Sequence, residues 1–299
     1  MKISDNKNTS PYILTADIGG SHITAAVCNT DTYNIEEKSI VRLEVNSKAT
    51  AADITGNWSS ALQSALADAQ VEIAGLGVAM PGPFDYAKGI SYIKGLNKYE
   101  AIYGMDIKLM FAGFLKIDNS LVRFRNDAEA TIAGEALAGA GAGAGYKSVA
   151  GVTLGTGFGS AFYAEGITRD LNYGSDPYKE TIADDYLSTR WFQKRYHELT
   201  GTQIPNVKAL AALVPNDDDA RQVFDEFAVN MADFLQNPLA KLSPDVLVLC
   251  GNITRAQEYF LPQLTRNLSA VTIKTALLGE KAALIGASAL FTNTNVVQS

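Results

Sequence analysis

Two rhythms of apolar and polar residues organise this chain. From Ile13 to Val27 apolar residues run almost unbroken, apart from a polar, glycine-bearing interruption at 17–22. An apolar run, a tight turn and a second apolar run predict two paired strands. The pattern returns from Val149 to Tyr163, interrupted at 155–157, and Ile40 to Val45 predicts a further strand. Between Ala51 and Gln70 the rhythm changes. Ile54, Trp58, Leu62, Ala65 and Leu66 recur at the spacing that lays them on one helical face. Val71 to Met80 predicts a buried strand ending at Pro81-Gly82-Pro83. Tyr103 to Leu115 predicts a helix, Ser120 to Arg125 a strand, and Ala128 to Ala138 an alanine-rich helix. Strands alternating with helices argue an α/β domain.

Gly139 to Gly145 alternates glycine and alanine. Each glycine lowers helix stability, so the preceding helix should end there and a flexible connection follow. Beyond the second hairpin, Ile182 to Leu199, Val207 to Leu213 and Ala220 to Leu242 predict helices. Asp245 to Cys250 predicts a strand, and Lys281 to Phe291 a terminal helix.

The 299 residues are 47% hydrophobic and 19% charged, a globular balance with room for two cores. A net charge of −7 does not favour nucleic acid as a partner. No run reaches the length of a membrane span, and Met1 to Ser10 reads as a polar tail without an apolar core. The two cysteines, Cys28 and Cys250, fall in strand-like apolar runs. They read as buried, reduced thiols of a cytoplasmic protein rather than as a disulfide. His22, at a strand start, and His197, on an amphipathic helix, read as structural.

The two glycine turns carry the first chemical signal. Glycine lets backbone approach a ligand closely and exposes N–H groups to anions. One such turn in each half suggests two clamps on one polyphosphate. No Gly-Lys-Ser/Thr follows either turn, and each leads into a strand rather than a helix, so neither is a Walker loop or a dinucleotide fingerprint. Asp127 follows a strand and precedes a helix, at a strand's carboxyl end where α/β ligands bind. Asn126 beside it can both donate and accept. Read locally, either residue could simply cap the helix. Asp17 could likewise be a turn-forming acid before glycine, and Gly82-Pro83 and Gly251-Asn252 ordinary turns.

In order along the chain, five segments resemble the ROK family of sugar kinases, within the actin/hexokinase-like superfamily. Asp17-Ile-Gly-Gly-Ser21 is similar to its first phosphate motif and Leu154-Gly-Thr-Gly-Phe-Gly159 to its second. Gly77-Val-Ala-Met-Pro-Gly-Pro83 is similar to its Pro-Gly-Pro loop. Asn126-Asp-Ala-Glu-Ala130, with Gly134-Glu135, is similar to its catalytic Asn-Asp segment, and Val246 to Ile253 to the strand and turn beside adenosine. The resemblance implies a two-domain, actin-like α/β fold (ribonuclease H-like) with a cleft between domains. The expected limits are 11–123 for the first domain and 124–280 for the second, a helix over about 281–299 returning to the first. It further implies ATP- and Mg²⁺-dependent phosphorylation of a sugar hydroxyl. Asp127 would be the base. Asn126, Gly82, Pro83 and Asp184 would meet the sugar. Gly19, Gly20, Ser21, Gly155, Thr156, Gly157 and Gly159 would meet phosphates, Gly251 and Asn252 adenosine, and Asp17 the Mg²⁺. A sugar is the expected small-molecule partner, with neither nucleic acid nor membrane, and a homodimer stays open.

The segment after Gly166 departs from the family. Many members carry Gly-Glu-x-Gly-His and a cysteine-rich zinc motif, whereas Ile167 to Ser188 contains neither histidine nor cysteine. No zinc is therefore expected, since Cys₃His cannot be assembled from two cysteines. The sugar shell must differ too, with Asp184, and with it Asn172 or Asp176, supplying replacement contacts. Weak or absent activity on plain glucose follows as an expectation. The alternative is a sugar-binding ROK homologue without catalysis, or a regulator lacking a DNA-binding domain.

Overall fold

The computed structural model describes residues 10–292. Most of the polar tail read at Met1 to Ser10, and the end of the segment read at 281–299, lie outside the described residues. The chain forms two compact units. One runs up to Ala138 and resumes at Glu280; the other is Gly139–Gly279.

In the first unit the opening hairpin forms as read. Strand β1 (Tyr12–Ile18) pairs antiparallel with β2 (His22–Asn29), from Tyr12 opposite Asn29 to Ile18 opposite Ile23. The short strands β3 (Asn34–Ile35) and β4 (Val41–Glu44) extend β2. Helix α1 (Ala51–Ala69) starts at Thr50, whose side chain accepts from the Asp53 N–H, and buries Ile54, Trp58, Leu62 and Ala65. Strand β5 (Leu76–Met80) lies parallel to β1. A small ribbon of β6 (Phe84–Asp85) and β7 (Ile90–Ser91) follows, then α2 (Ile107–Leu115) and β8 (Val122–Asn126), which lies parallel to β5. Helix α3 (Asp127–Ala138) completes the run. The expected helix from Tyr103 begins late because Gly104 takes a φ of 75° and Asp106 caps α2, accepting from the Leu109 N–H at 2.7 Å.

The terminal helix (Lys281–Ser288) lies in this unit, against α3, β1 and β5. A Cβ on Gly134 would overlap the Ala282 carbonyl, one on Gly286 the Ala130 carbonyl, and one on Gly77 the Ala287 carbonyl. These backbones touch only because no side chain separates them. Residues 124–138, expected in the second domain, belong here for the same reason. Residues Phe124 to Asn126 pair with β5, and α3 packs on the terminal helix.

The second unit repeats the strand plan. Strands β9 (Ser148–Leu154) and β10 (Phe158–Ala164) form the second hairpin, and β11 (Ile167–Asp170) extends it. A ribbon of β12 (Pro177–Tyr178) and β13 (Thr181–Ile182) leads to α4 (Asp184–Leu187) and α5 (Thr189–Thr200). One helix was expected from Ile182 to Leu199. It breaks at Ser188, which is extended, because both the N–H and Oγ1 of Thr189 bond the Gly155 carbonyl, at 2.8 and 2.9 Å. Helix α6 (Val207–Leu213) and the long α7 (Asp218–Leu242) come next, and Asp217 caps α7. Strand β14 (Val246–Cys250), α8 (Leu261–Asn267) and β15 (Thr272–Thr275) finish the unit, with β9, β14 and β15 mutually parallel. The aromatic rings of Phe192, Phe224, Phe227 and Phe260 pack at the centre of its core.

Candidate functional site

In the first unit, β1, β5 and β8 run parallel, so three predicted segments emerge at their carboxyl ends. The Gly19-Gly20-Ser21 turn follows β1, Pro81-Gly82-Pro83 follows β5, and Asn126-Asp127 closes β8 and opens α3. The backbone register sets Asp17 beside Ala79 and Met80 beside Asn126. This strand end is the usual ligand position of a parallel sheet. The Gly82–Pro83 peptide is cis.

Asn126 is oriented from both ends of its amide. Its Oδ1 accepts from the N–H groups of Ala128 and Glu129, at 2.9 and 3.2 Å, as a helix cap. Its Nδ2 donates to Tyr86 Oη at 3.2 Å, and that hydroxyl donates to the Met80 carbonyl at 3.1 Å. Tyr86 thus ties the Pro-Gly-Pro loop to the Asn-Asp segment. Asp127 is half-buried, and its Oδ1 also accepts from the Ala128 N–H, at 2.9 Å.

Asp17 retains a little accessible surface, yet it is packed deeply enough for desolvation to dominate its acidity. Burial, followed by the charges of Asp127 and Glu280, pushes its pKa up to about 7, against a smaller lowering by Arg42. Three carboxylates therefore share one field at this strand end. Arg42 is ion-paired with Glu280. His22 lies under the turn, with Nδ1 3.4 Å from Ser21 Oγ. Burial, then the Arg42 charge, lowers its pKa. Tyr99 is fully buried and donates its hydroxyl to the Gly19 carbonyl at 2.6 Å.

In the second unit the corresponding strand ends carry Gly155-Thr156-Gly157 after β9 and Gly251-Asn252 after β14. Gly251 takes a φ of 93°, and a Cβ there would overlap the Leu154 carbonyl, so a larger residue does not fit. Gly159 lies inside β10, opposite Thr153, beyond the turn itself. A cavity of about 710 Å³ opens beside Gly155, Thr156 and Asn252, with Arg190, Lys208 and Arg255 in its wall. That volume suits a nucleoside-sized ligand. A larger groove of about 1060 Å³, walled by Lys194, Arg195, Glu198 and Glu226, touches none of the turn residues and shares only Arg190 with this cavity.

Asp184 sits on the second hairpin. Its Oδ1 accepts from the Phe158 N–H at 2.5 Å, and its Oδ2 is ion-paired with Arg190. Asn172 and Asp176 bracket the short helical turn Tyr173–Ser175, where Asn172 Oδ1 accepts from Ser175 Oγ at 3.3 Å. Neither cysteine forms a disulfide. Among the described residues no cluster of three or more histidine, cysteine or acidic side chains could hold a metal, and no helix is long and apolar enough to cross a membrane.

Sequence reasoning did not find Tyr86, Tyr99 or Arg190. Each acts on a partner remote in the chain or hidden by local pattern: Tyr86 on Asn126, Tyr99 on Gly19, Arg190 on Asp184.

The family model of the ROK family matches residues 13–174 and 179–294. An N-acetyl-D-glucosamine kinase of Pasteurella multocida (strain Pm70) is 26% identical over 315 residues, spanning 92% of this chain and 97% of that protein. The solved ROK hexokinase of Thermus thermophilus superposes with a TM-score of 0.79 at 21% identity, over 93% of this chain and 97% of that one. A ROK family glucokinase from Streptomyces griseus, solved with glucose and AMPPNP, gives a TM-score of 0.69 at 20% identity, over 93% and 98%. The shared fold is a mixed α/β plan.

Proposed function

Because this chain belongs to the ROK family, we propose that it is an ATP-dependent carbohydrate kinase, transferring the terminal phosphoryl group of ATP to a sugar hydroxyl. The observation that carries this reading is the convergence, at the carboxyl ends of β1, β5 and β8, of a glycine turn, a Pro-Gly-Pro loop and an oriented Asn-Asp pair. Phosphoryl transfer needs positioning, charge neutralisation and a base more than covalent help. Asp127 takes the hydroxyl proton as the sugar oxygen bonds to phosphorus and the bond to ADP breaks. Asn126, held by Tyr86, orients the ring with Gly82 and Pro83. Gly19, Gly20 and Ser21 take phosphate oxygens, as do Gly155, Thr156, Gly157 and Gly159 in the other unit. Gly251 and Asn252, beside the 710 Å³ cavity, take adenosine.

Mg²⁺ fits the first unit. Asp17 is desolvated and lies in the field of two further carboxylates, so a divalent cation relieves the repulsion that raises its pKa. Asp17 would hold the metal with the phosphates, and the ion would neutralise charge on the transferring group. The substrate is an amino sugar or a hexose. The altered segment from Ile167 to Ser188 and the N-acetyl-D-glucosamine kinase relatives favour an N-acetylated hexosamine over plain glucose. Cytoplasmic residence agrees with two cysteines kept out of disulfides.

The deciding experiment is a panel of glucose, mannose, N-acetylglucosamine and N-acetylmannosamine with MgATP, following ADP release and thermal shift together. Asp127→Ala should lower kcat by on the order of 10²–10⁴-fold with ATP affinity retained. Wild-type turnover in that variant rejects Asp127 as the base. Sugar-induced stabilisation without ADP release identifies a sugar sensor instead.

A further inference from the structure

We propose that Lys98 is the phosphate-binding cation of the first glycine turn, contacting the terminal phosphate of the nucleotide. This rests on the kinase reading above and adds a residue that reading does not contain. Gly20 and Ser21 offer N–H groups that meet no acceptor among the described residues. The field around them is hostile to an anion, because Asp17, Asp127 and Glu280 all act at this strand end. A polyphosphate entering here needs a cation fixed to the protein as well as any metal it carries.

The basic side chains that could serve are mostly committed. Arg42 pairs with Glu280 and Lys281 with Glu37, while Arg125, buried on β8, faces Glu129 at 3.6 Å and, among the described residues, keeps its Nε and one terminal nitrogen without a hydrogen bond. Lys98 differs from these three. A Cβ built on Gly20 would lie 4.0 Å from Lys98 Cδ, so the lysine stem passes beside the turn. Among the described residues its ammonium meets no carboxylate. A half-exposed lysine whose stem passes beside two open N–H donors brings the elements of an anion site together from two chain segments.

The segment carrying Lys98 is anchored to that turn. The Tyr99 hydroxyl reaches the Gly19 carbonyl at 2.6 Å, and the Tyr99 N–H donates to the Ser47 carbonyl at 2.7 Å. The Tyr99 ring packs 5.3 Å from Trp58. Burial pushes its phenol up to about 12, so it stays a donor at any working pH. Asn97 and Tyr99, on either side of Lys98, both take left-handed backbone, with φ of 55°. Two non-glycine residues in that region indicate a conformation imposed by its surroundings. Gly20, in turn, has no side chain to displace the lysine stem. During transfer Lys98 holds phosphate oxygens while the sugar oxygen–phosphorus bond forms, the bond to ADP breaks and Asp127 receives the proton. A compact ammonium with three rotatable donors suits oxygens whose arrangement changes along that path.

The test uses Lys98→Met, which keeps the stem, and Lys98→Arg, which keeps the charge. Calorimetry measures Kd for MgATP, ADP and AMP, and steady-state kinetics measure kcat and KM with the best sugar of the panel. Lys98→Met should bind MgATP at least 10-fold more weakly, or lose on the order of 10²-fold in kcat. Its melting temperature and AMP affinity should match wild type, and Lys98→Arg should recover part of the loss. Unchanged MgATP affinity and kcat in Lys98→Met overturn the proposal while leaving the kinase reading intact. An equal loss for AMP also overturns it, by assigning Lys98 a purely structural part. A wild-type protein that neither binds MgATP nor turns over any sugar overturns both.

Discussion

The turn at residues 19–21 is held from above by an aromatic side chain, whereas the turn at 155–157 is held by a carboxylate and a helix start. In the first, the Gly19 N–H closes the hairpin on the His22 carbonyl at 2.9 Å, and Tyr99 clamps the Gly19 carbonyl. In the second, the Gly155 N–H bonds the Gly157 carbonyl at 3.1 Å. Asp184 there takes the Phe158 N–H, and Thr189 takes the Gly155 carbonyl twice. The charges differ as well. Acids surround the first turn, while Arg190, Lys208 and Arg255 line the cavity beside the second. The same backbone device thus sits in two opposite fields. The second turn has cations beside it, whereas the first sits among carboxylates.

The largest test of that contrast is Asp17. Its folded-state pKa of about 7 exceeds the ordinary 3.8, so the folded protein binds more protons than the unfolded chain between those values. Stability should therefore fall as pH rises from about 4 to about 7. Asp17→Asn should remove the fall and stabilise the protein at pH 8 by on the order of 4 kcal/mol, while Mg²⁺-dependent turnover is lost. Denaturant unfolding across pH measures this, and identical pH profiles for the two proteins would remove the acidic field from the account.

Next in size is the frame under the first turn. Gly286→Ala drives a methyl group into the Ala130 carbonyl, and backbone on both sides must shift. A loss of about 3 kcal/mol is expected, read as a lowered Tm, with Gly113→Ala as a control facing open space. Equal melting of the two variants would mean the helices do not touch there.

A smaller effect separates the two clamps. Asp184→Ala leaves the Phe158 N–H without its acceptor and should cost about 2 kcal/mol. The exposed Arg190 pairing adds little to that figure. The loss should appear as a raised KM for ATP and faster amide exchange at residues 155–158. Each Asp184 oxygen already has one partner in the hairpin, and sugar binding that survives Asp184→Ala would assign it to the hairpin alone. Smallest is Tyr99→Phe, which removes one hydrogen bond from the first turn and should cost about 1 kcal/mol. Exchange should quicken at Gly19 to Ser21 only.

Local pattern made the hairpins and α1 legible, because an apolar run broken by glycine and a helical stripe with Trp58 at its centre each have one economical fold. Asn126 was legible as a helix cap, and the other end of its amide is held by Tyr86. Other features depend on contacts between distant segments. Thr189 breaks a continuous helical pattern by bonding Gly155, 34 residues away. The edge strand Thr272–Thr275 carries a single apolar residue, Ile273, and leaves no stripe to read. The unit boundary was placed before α3 because nothing in residues 124–138 announces that Ala130 and Gly134 will meet a helix more than 140 residues later.

The terminal helix has a further consequence, for the order in which the protein can be made. Strands β1 and β5 and helix α3 are synthesised early, but the face they present to residues 281–288 stays uncovered until the whole of Gly139–Gly279 has left the ribosome. The intervening unit is continuous in sequence and can close first, reversing the usual N-terminal-first order of folding during synthesis. Until then the nascent chain carries Ala130 and Gly134 on a face awaiting its own last helix. A ribosome that stalls just before Lys281 would therefore display a finished second half beside a first half that cannot yet hold its parallel strand ends in place.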